Sequence, residues 1–364
     1  MFMEPSGNEK VFSRLYIVVT RECNLVCKHC YLEAGPGKAF DNELSPQEVA
    51  SIIDAVAVDG KLTEVSITGG EPLARKDIKE ILTVVLEKGI LLNLETNGTL
   101  ITPEIAELLS TYENSSVGVS IDGIGEVHDV QRGRPGAFKR AVRGLKLLQQ
   151  YNVEHGISTY VTHENLPQLE DIVKLGIDTD CSIFRILAQT VPLGRSDEKP
   201  TDVELVQNTL NTYFGLKLKY HDKLRIITDL PLALMPAEHI EDIEEYVTCP
   251  WWKLMGVSPR GDVSLCTALS LHPDMITGNI RTNSLDEIKR HPIFQTLDQS
   301  NKTKLQGICG NCHAARICGG FCRAMAFAEF GDLLAPYPMC QAFYRTGIFP
   351  EYAIVEPERN CSYP

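Results

Sequence analysis

A chain of 364 residues with 43% hydrophobic and 23% charged side chains is long enough for two units with large cores, and its composition is that of an ordinary globular protein. Thirty-five Lys and Arg against 48 Asp and Glu leave a formal charge of -13, which argues against a nucleic-acid partner. No apolar run reaches the roughly 18 residues needed to cross a membrane, no basic-then-apolar signal opens the chain, and twelve cysteines, mostly in short-spaced groups, point to metal in a reducing, cytoplasmic setting rather than to disulfides.

After a tail over residues 1–10, short apolar runs alternate with helical periodicity from residue 11 to about 190. Strands are expected at 15–20, 64–68, 91–95, 117–121, 156–161 and 183–187. Between them, Ser45-Pro46-Gln47-Glu48 is a capping box with proline at the first helical position. A second helix runs to Lys88 and stops at Gly89, a third follows Thr102-Pro103, and two more span 137–151 and 166–175. This alternation implies an α/β fold with parallel pairing and right-handed crossovers, and six such units curl into an open, partial (β/α)6 TIM-like barrel. A breaker-rich stretch, PLGRSDEKP, closes the region. Residues 191–245, with a helix over 201–219 and a strand over 224–228, then bridge to a cysteine-dense unit over 246–345, and 346–364 form a tail.

The motifs sit at strand ends. Cys23, Cys27 and Cys30, in the order Cys-x3-Cys-x2-Cys, follow the first strand and can give three thiolates to one [4Fe-4S] cube, leaving one iron free. Gly69-Gly70-Glu71-Pro72 follows the second strand, where barrel loops carry function. Its glycines let backbone approach a ligand and its carboxylate can receive an ammonium group; the alternative is a tight turn with a solvated glutamate. Thr96-Asn97-Gly98 and Ser120-Ile121-Asp122-Gly123 end the third and fourth strands, with polar groups suited to ribose hydroxyls, although both contain common turn dipeptides. His128-Asp129-x2-Arg132-Gly133 adds an arginine that pairs either with a ligand carboxylate or in a surface ion pair.

Together, residues 11–190 resemble the radical S-adenosylmethionine (SAM) superfamily. The resemblance implies that Cys23, Cys27 and Cys30 hold the SAM-cleaving cluster, whose open iron chelates the amino and carboxylate groups of SAM. An electron then splits the sulfonium to give a 5'-deoxyadenosyl radical. It further implies that His29 lies beside the adenine, that Gly69, Gly70 and Glu71 receive the methionine amino group, that Asn97, Ser120 and Asp122 are ribose-side contacts, and that Arg132 meets the SAM carboxylate. A flavodoxin- or ferredoxin-type reductant is the expected electron donor.

At the other end stand Cys249, Gly261-x4-Cys266, Cys309-x2-Cys312-x5-Cys318-x3-Cys322 and Cys340. A zinc ribbon needs two Cys-x2-Cys pairs, but one is present, and seven cysteines do not divide into four-ligand sites. The order resembles the SPASM domain, which implies two auxiliary [4Fe-4S] clusters: one on Cys249, Cys266 and Cys322, the other on Cys309, Cys312, Cys318 and Cys340. Some relatives place a further cysteine where this chain has Ile243 and Glu244, so the first cluster takes Cys361 from the tail or keeps an open iron. Cys181 reads as a small buried apolar residue, and Trp251 and Trp252 as core packing.

The resemblance implies hydrogen-atom abstraction from a C–H bond with auxiliary clusters as electron acceptors, hence oxidative dehydrogenation, cross-linking or decarboxylation. The leading expectation for substrate is a peptide or peptide-derived cofactor precursor, so that the enzyme is a maturase. With the first strand near residue 11 there is no room for an N-terminal peptide clasp, and a separate peptide-carrier protein is expected. The rival is tetrapyrrole side-chain decarboxylation in a heme or heme d1 pathway, with sugar or aminoglycoside oxidation third. A basic, apolar-walled cavity would favour the tetrapyrrole, an open groove with a free sheet edge the peptide. The GGEP motif opposes a mere iron-sulfur electron carrier, and the missing glycine-rich fingerprint opposes ordinary SAM methyl transfer.

Overall fold

Side chains alternate along the first strand, Arg-Leu-Tyr-Ile-Val, so that Leu15 and Ile17 are buried on one face while Arg14 and Tyr16 line a cavity on the other. The same alternation recurs in its neighbours. The computed structural model describes residues 11–58, 60–188, 191–196, 202–236, 249, 251–297, 304–356, 359 and 361–363. Seven parallel strands are hydrogen-bonded in chain order: β1 (Arg14–Val18), β2 (Glu64–Thr68), β3 (Leu91–Thr96), β4 (Ser115–Ser120), β5 (His155–Tyr160), β6 (Ile183–Leu187) and β7 (Arg225–Thr228). Helices α1 (Pro46–Ala57), α2 (Ile78–Glu87), α3 (Pro103–Ser110), α4 (Glu126–Gln131), α5 (Ala137–Gln150), α6 (Leu169–Asp178) and α7 (Val203–Tyr220) lie between them. The expected strands and helices are present, with bounds within two or three residues of those read from periodicity.

The core lies between sheet and helices. Val65, Ile67, Leu92, Leu94, Val117 and Val119 meet Ile81, Leu82 and Val85 of α2 and Leu145 and Leu148 of α5, each such side chain contributing about 1.5–3 kcal/mol on burial. The capping box forms as expected: Ser45 Oγ accepts from the Glu48 N–H at 3.2 Å, and the Glu48 carboxylate accepts from the Ser45 N–H at 2.8 Å. Cys181 is buried in the core beside Thr179. Trp251 is buried too, its indole N–H donating to the Gly319 carbonyl at 3.0 Å, with Trp252 edge-on against it.

The sheet extends beyond six units at both ends. β7, from the expected bridging segment, pairs parallel with β6 as a seventh strand. On the far side, β8 (Leu254–Val257) from the cysteine-rich end pairs parallel with β1 in the register Arg14↔Leu254 to Ile17↔Val257. β9 (Asp262–Ser264) and β10 (Gly278–Asn279) continue antiparallel from β8. Local periodicity does not carry a pairing between segments so far apart in the chain. Among the described residues of this end there are five shorter helices: α8 (Leu285–Lys289), α9 (Pro292–Thr296), α10 (Ala315–Cys318), α11 (Arg323–Phe330) and α12 (Pro338–Arg345). Among the described residues no helix is long and apolar enough to cross a membrane. The neighbourhood of Ile243 and Glu244 and the tail over 1–10 lie outside the described residues.

Gly256 in β8 stands opposite Tyr16 of β1 and packs against the backbone of Cys266. A Cβ there would fall 2.7 Å from the Cys266 Cα and 2.8 Å from the Thr267 N–H nitrogen, backbone atoms that cannot swing aside. Gly256→Ala is therefore expected to displace Cys266 and lower bound iron by about four atoms per chain, one cube's share, while the N-terminal loop keeps its own. Full iron loading in this variant would show that the contact is not limiting.

Candidate active site and thiol clusters

A cavity of about 690 Å³ begins at the loops after β1, β2 and β3 and runs down the barrel lumen to Arg14, Glu64 and Arg225, the first residues of β1, β2 and β7. Its size is that of a small-molecule or cofactor site. Cys23, Cys27 and Cys30 stand in its wall. Their loop is pinned by backbone bonds from Val26 N–H to the Arg132 carbonyl (3.3 Å) and from Lys28 N–H to the Gln131 carbonyl (3.1 Å), both acceptors at the end of α4. Arg195 adds bonds to the carbonyls of Cys27 (3.0 Å) and Ala34 (2.7 Å).

Each of the three thiols faces a donor. The Leu25 N–H points at Cys23 Sγ (3.4 Å), the Ala34 N–H at Cys30 Sγ (3.4 Å) and Arg132 Nη1 at Cys27 Sγ (3.8 Å). Burial pushes the Cys23 thiol up to about 12 and also raises Cys27, against the pull of Arg132. A metal must therefore displace protons, and the surrounding donors suit the thiolates that result. Among the described residues no three Cys, His, Asp or Glu side chains converge as ligands of a single ion. Three thiols in one cavity wall suit a cube that takes three cysteines and leaves one iron open.

The structure distributes the expected SAM contacts unevenly. Gly69, Gly70, Asn97, Ser120, Arg132 and His29 line the cavity. Glu71 does not, and here the expectation of a carboxylate offered to an ammonium group is corrected. Its side chain is fully buried, with Oε1 accepting from Thr96 Oγ1 (2.7 Å) and the Leu73 N–H (3.1 Å), and Oε2 from the Asn97 N–H (2.7 Å). What the motif presents to the cavity is backbone at Gly69 and Gly70. Gly70 lies so close to the cysteine loop that a Cβ would fall 2.8 Å from the Arg21 carbonyl.

Asp122 is also turned away from the cavity. It forms an ion pair with Arg132 Nε at 2.7 Å, closing as charge on charge rather than as an aligned hydrogen bond, and its Oδ1 accepts from the Tyr160 N–H at 2.9 Å. Arg132 thus stands between a carboxylate and the Cys27 thiol. Asn97 braces the cysteine loop, donating to Asn24 Oδ1 at 2.9 Å. His29 accepts at Nδ1 from Gln131 Nε2 (2.8 Å), which leaves its proton on Nε2. Burial lowers its pKa to about 4, and its neutral ring lies 4.8 Å from the Tyr160 ring on the cavity wall.

Several wall residues went unread in the sequence. Arg14, Tyr16, Glu64, Ser66, Asn93, Glu95 and Arg185 project into the lumen from alternate strand positions. The signal was a polar or charged residue alternating with buried apolar ones in each of these strands. Arg14 pairs with Glu64 at 3.4 Å and Arg185 with Glu95 at 3.6 Å.

In the cysteine-rich end, Cys309, Cys312, Cys318 and Cys340 line one small apolar cavity together with Gly320, Tyr337 and Phe349. Four thiols around one volume fit a fully ligated cube. Cys249, Cys266 and Cys322 form a second set, and Cys249 feels the charges of the other two. Of the two alternatives for the first auxiliary cluster, Cys361 as a fourth ligand or an open iron, the structure does not bring Cys361 to that set. It is buried in the apolar cluster holding Cys309, Cys318 and Cys340, its thiol donating to the Arg359 carbonyl at 3.4 Å. The set keeps three ligands among the described residues. Tyr31, beside Cys30, meets Thr267, beside Cys266, with their hydroxyls 3.4 Å apart.

Because Glu71 accepts from two backbone N–H groups on different oxygens, an amide in its place must set donor against donor. Glu71→Gln is expected to destabilise the SAM-free protein by about 1–3 kcal/mol, read as a lower Tm. A residue serving only as a ligand contact would leave that Tm unchanged.

Residues 17–176 match the radical SAM superfamily and residues 249–313 the SPASM iron-sulfur cluster-binding domain. An AdoMet-dependent heme synthase of Methanosarcina barkeri is 32% identical over 345 residues, covering 90% of this chain and 95% of that protein. The mycofactocin maturase MftC of Mycobacterium ulcerans is 30% identical over 337 residues, covering 90% and 87%. In fold, the chain superposes on Streptococcus suis SuiB bound to S-adenosylmethionine with a TM-score of 0.71 at 18% identity, over 90% of this chain and 76% of that one. The chain belongs to the radical SAM superfamily, as an enzyme of the SPASM branch that binds a [4Fe-4S] cluster and SAM in its barrel and auxiliary iron-sulfur clusters in its cysteine-rich end.

Proposed function

We propose that this enzyme oxidatively decarboxylates propionate side chains of a tetrapyrrole held in the barrel lumen. The observation that carries the reading is the charge of the cavity. In a chain of formal charge -13, the wall carries five arginines, Arg14, Arg132, Arg185, Arg195 and Arg225, against Glu64 and Glu95 in the wall and Asp122 behind Arg132, so positive charge stays in surplus. Guanidinium groups facing inward suit a ligand with several carboxylates. The sheet's end strands, β10 of two residues and β7 of four, offer an extended peptide little to pair with, and β8 already occupies the edge of β1. Sequence alone favours a peptide; the lumen charge and the end-to-end match to a heme synthase support the tetrapyrrole.

In the same reading, Cys23, Cys27 and Cys30 hold the SAM-cleaving cluster, with Cys249, Cys266 and Cys322 on one auxiliary cluster and Cys309, Cys312, Cys318 and Cys340 on the other. When bound, the clusters and SAM supply the hydrogen-atom abstraction and take up the released electron. The substrate change balances as R–CH2–CH2–COO⁻ giving R–CH=CH2, CO2, one hydrogen atom and one electron. Arg185 and Arg225 hold the carboxylate until it leaves as CO2. The ring pair of His29 and Tyr160 offers a flat, neutral face to the adenine, and the backbone of Gly69 and Gly70 offers carbonyls to the methionine amino group. A flavodoxin- or ferredoxin-type reductant in a reducing cytoplasm completes the system.

Two experiments test the reading. Anaerobic enzyme given SAM, a low-potential reductant and an iron coproporphyrin is expected to release 5'-deoxyadenosine, CO2 and a vinyl-bearing porphyrin, with Arg185→Met raising KM at least about tenfold, roughly one lost charge-assisted contact. Inertness toward every propionate-bearing tetrapyrrole, alongside modification of a peptide encoded next to the enzyme, would overturn it in favour of a maturase. Separately, Cys27→Ala is expected to abolish 5'-deoxyadenosine release while both auxiliary clusters stay loaded.

A further inference from the structure

Arg323 is one of the largest fully buried side chains, 1% exposed, and it follows Cys322 directly at the start of α11. Burying a cation costs several kcal/mol unless an anion and hydrogen bonds meet it. Its hydrogen-bond partners are backbone carbonyls: Nη1 donates to Leu333 (3.0 Å) and Ala335 (2.7 Å), Nη2 to Gly320, and among the described residues Nε has no hydrogen-bond acceptor. Carbonyls satisfy its protons but do not neutralise its charge.

Its position explains what does. Gly320 lies midway between Cys318 of one thiol set and Cys322 of the other, and it lines the cavity of Cys309, Cys312, Cys318 and Cys340. The guanidinium is packed against it so closely that a Cβ at Gly320 would fall 2.7 Å from Arg323 Nη2. Arg323 thus brings a positive charge both to Cys322, its neighbour in the chain, and to the wall of the cavity lined by Cys309, Cys312, Cys318 and Cys340. Asp229, at the end of β7, acts on Cys322 in the opposite sense, but burial pushes its carboxyl up to about 7, and its Oδ1 accepts from the Ala188 N–H at 2.7 Å.

We propose that Arg323 is the shared buried counter-cation of the two auxiliary clusters and holds both at reduction potentials high enough to accept an electron from the substrate radical. Each cluster gains one negative charge on one-electron reduction, and a fixed positive charge between them stabilises that form in both. The inference rests on the assignment of the seven cysteines to two auxiliary clusters, and not on the identity of the substrate.

The test is an EPR-monitored redox titration of the anaerobically reconstituted full chain, with SAM added to shift and so identify the N-terminal cluster's signal. In Arg323→Met the reduced-to-oxidised ratio of both auxiliary clusters at a fixed poise is expected to fall at least tenfold, about 59 mV for a one-electron couple. Arg323→Lys keeps the charge but not the planar fork, and is expected to stay within about threefold of the parent ratio even as its Tm drops. If the methionine variant fails to load the auxiliary clusters while the lysine variant loads them, the charge requirement stands. Unchanged potentials in a loaded methionine variant overturn the inference. Equal loss of iron in both variants also overturns it, assigning Arg323 to bracing the carbonyls at 320, 333 and 335. Absence of two auxiliary clusters in the parent protein would instead refute the cysteine assignment.

Discussion

Taking a thiolate out of water into an apolar wall costs several kcal/mol unless donors or a cation meet it. Much of this chain's architecture answers that cost. Burial raises Cys23, Cys27, Cys249, Cys266, Cys318 and Cys340 alike. At the N-terminal loop, backbone N–H groups and Arg132 face the sulfurs. Arg132 is in turn held by Asp122, so a carboxylate that does not reach the cavity still fixes the direction of a cation that does. At the other end Arg323 has carbonyls for its protons and thiols for its charge.

The same logic separates motif from contact. Glu71 and Asp122 look like ligand-binding carboxylates in a linear sequence, yet both are buried as braces, one tying the turn after β2 to the end of β3, the other aligning Arg132. The groups that do line the cavity include backbone at Gly69 and Gly70, Asn97, Ser120, the neutral ring of His29 and the guanidinium groups of the lumen. Braces of this kind fix the geometry of the reacting groups, where a misplacement of about 1 Å can cost about a hundredfold in rate.

Legibility in the sequence followed the range of the interaction. Strands and helices are local, and the periodicities of residues 11–190 gave them to within a turn. The cysteine spacings were local too, and the four cysteines that the resemblance groups together, Cys309, Cys312, Cys318 and Cys340, line one cavity. The orientation of Glu71 was not legible, because its partners Thr96 and Asn97 stand 25 and 26 residues away. Nor was the seat of Cys361, fixed by packing against α12 through Gln341, which donates to the Cys361 carbonyl at 3.0 Å. The lumen arginines were legible in principle, since Arg14 and Arg185 alternate with the buried Leu15, Ile17, Phe184 and Ile186.

The parallel pairing of β8 with β1 has a consequence for biosynthesis. Arg14 finds its partner Leu254 only after roughly 240 more residues have been made, about 12–50 s of translation at ordinary rates. Through that interval one edge of the first strand, and the reduced sulfur loop that follows it, leave the ribosome uncovered. The nascent chain is thus open to iron-sulfur delivery, and to oxygen, on that flank until its last third arrives.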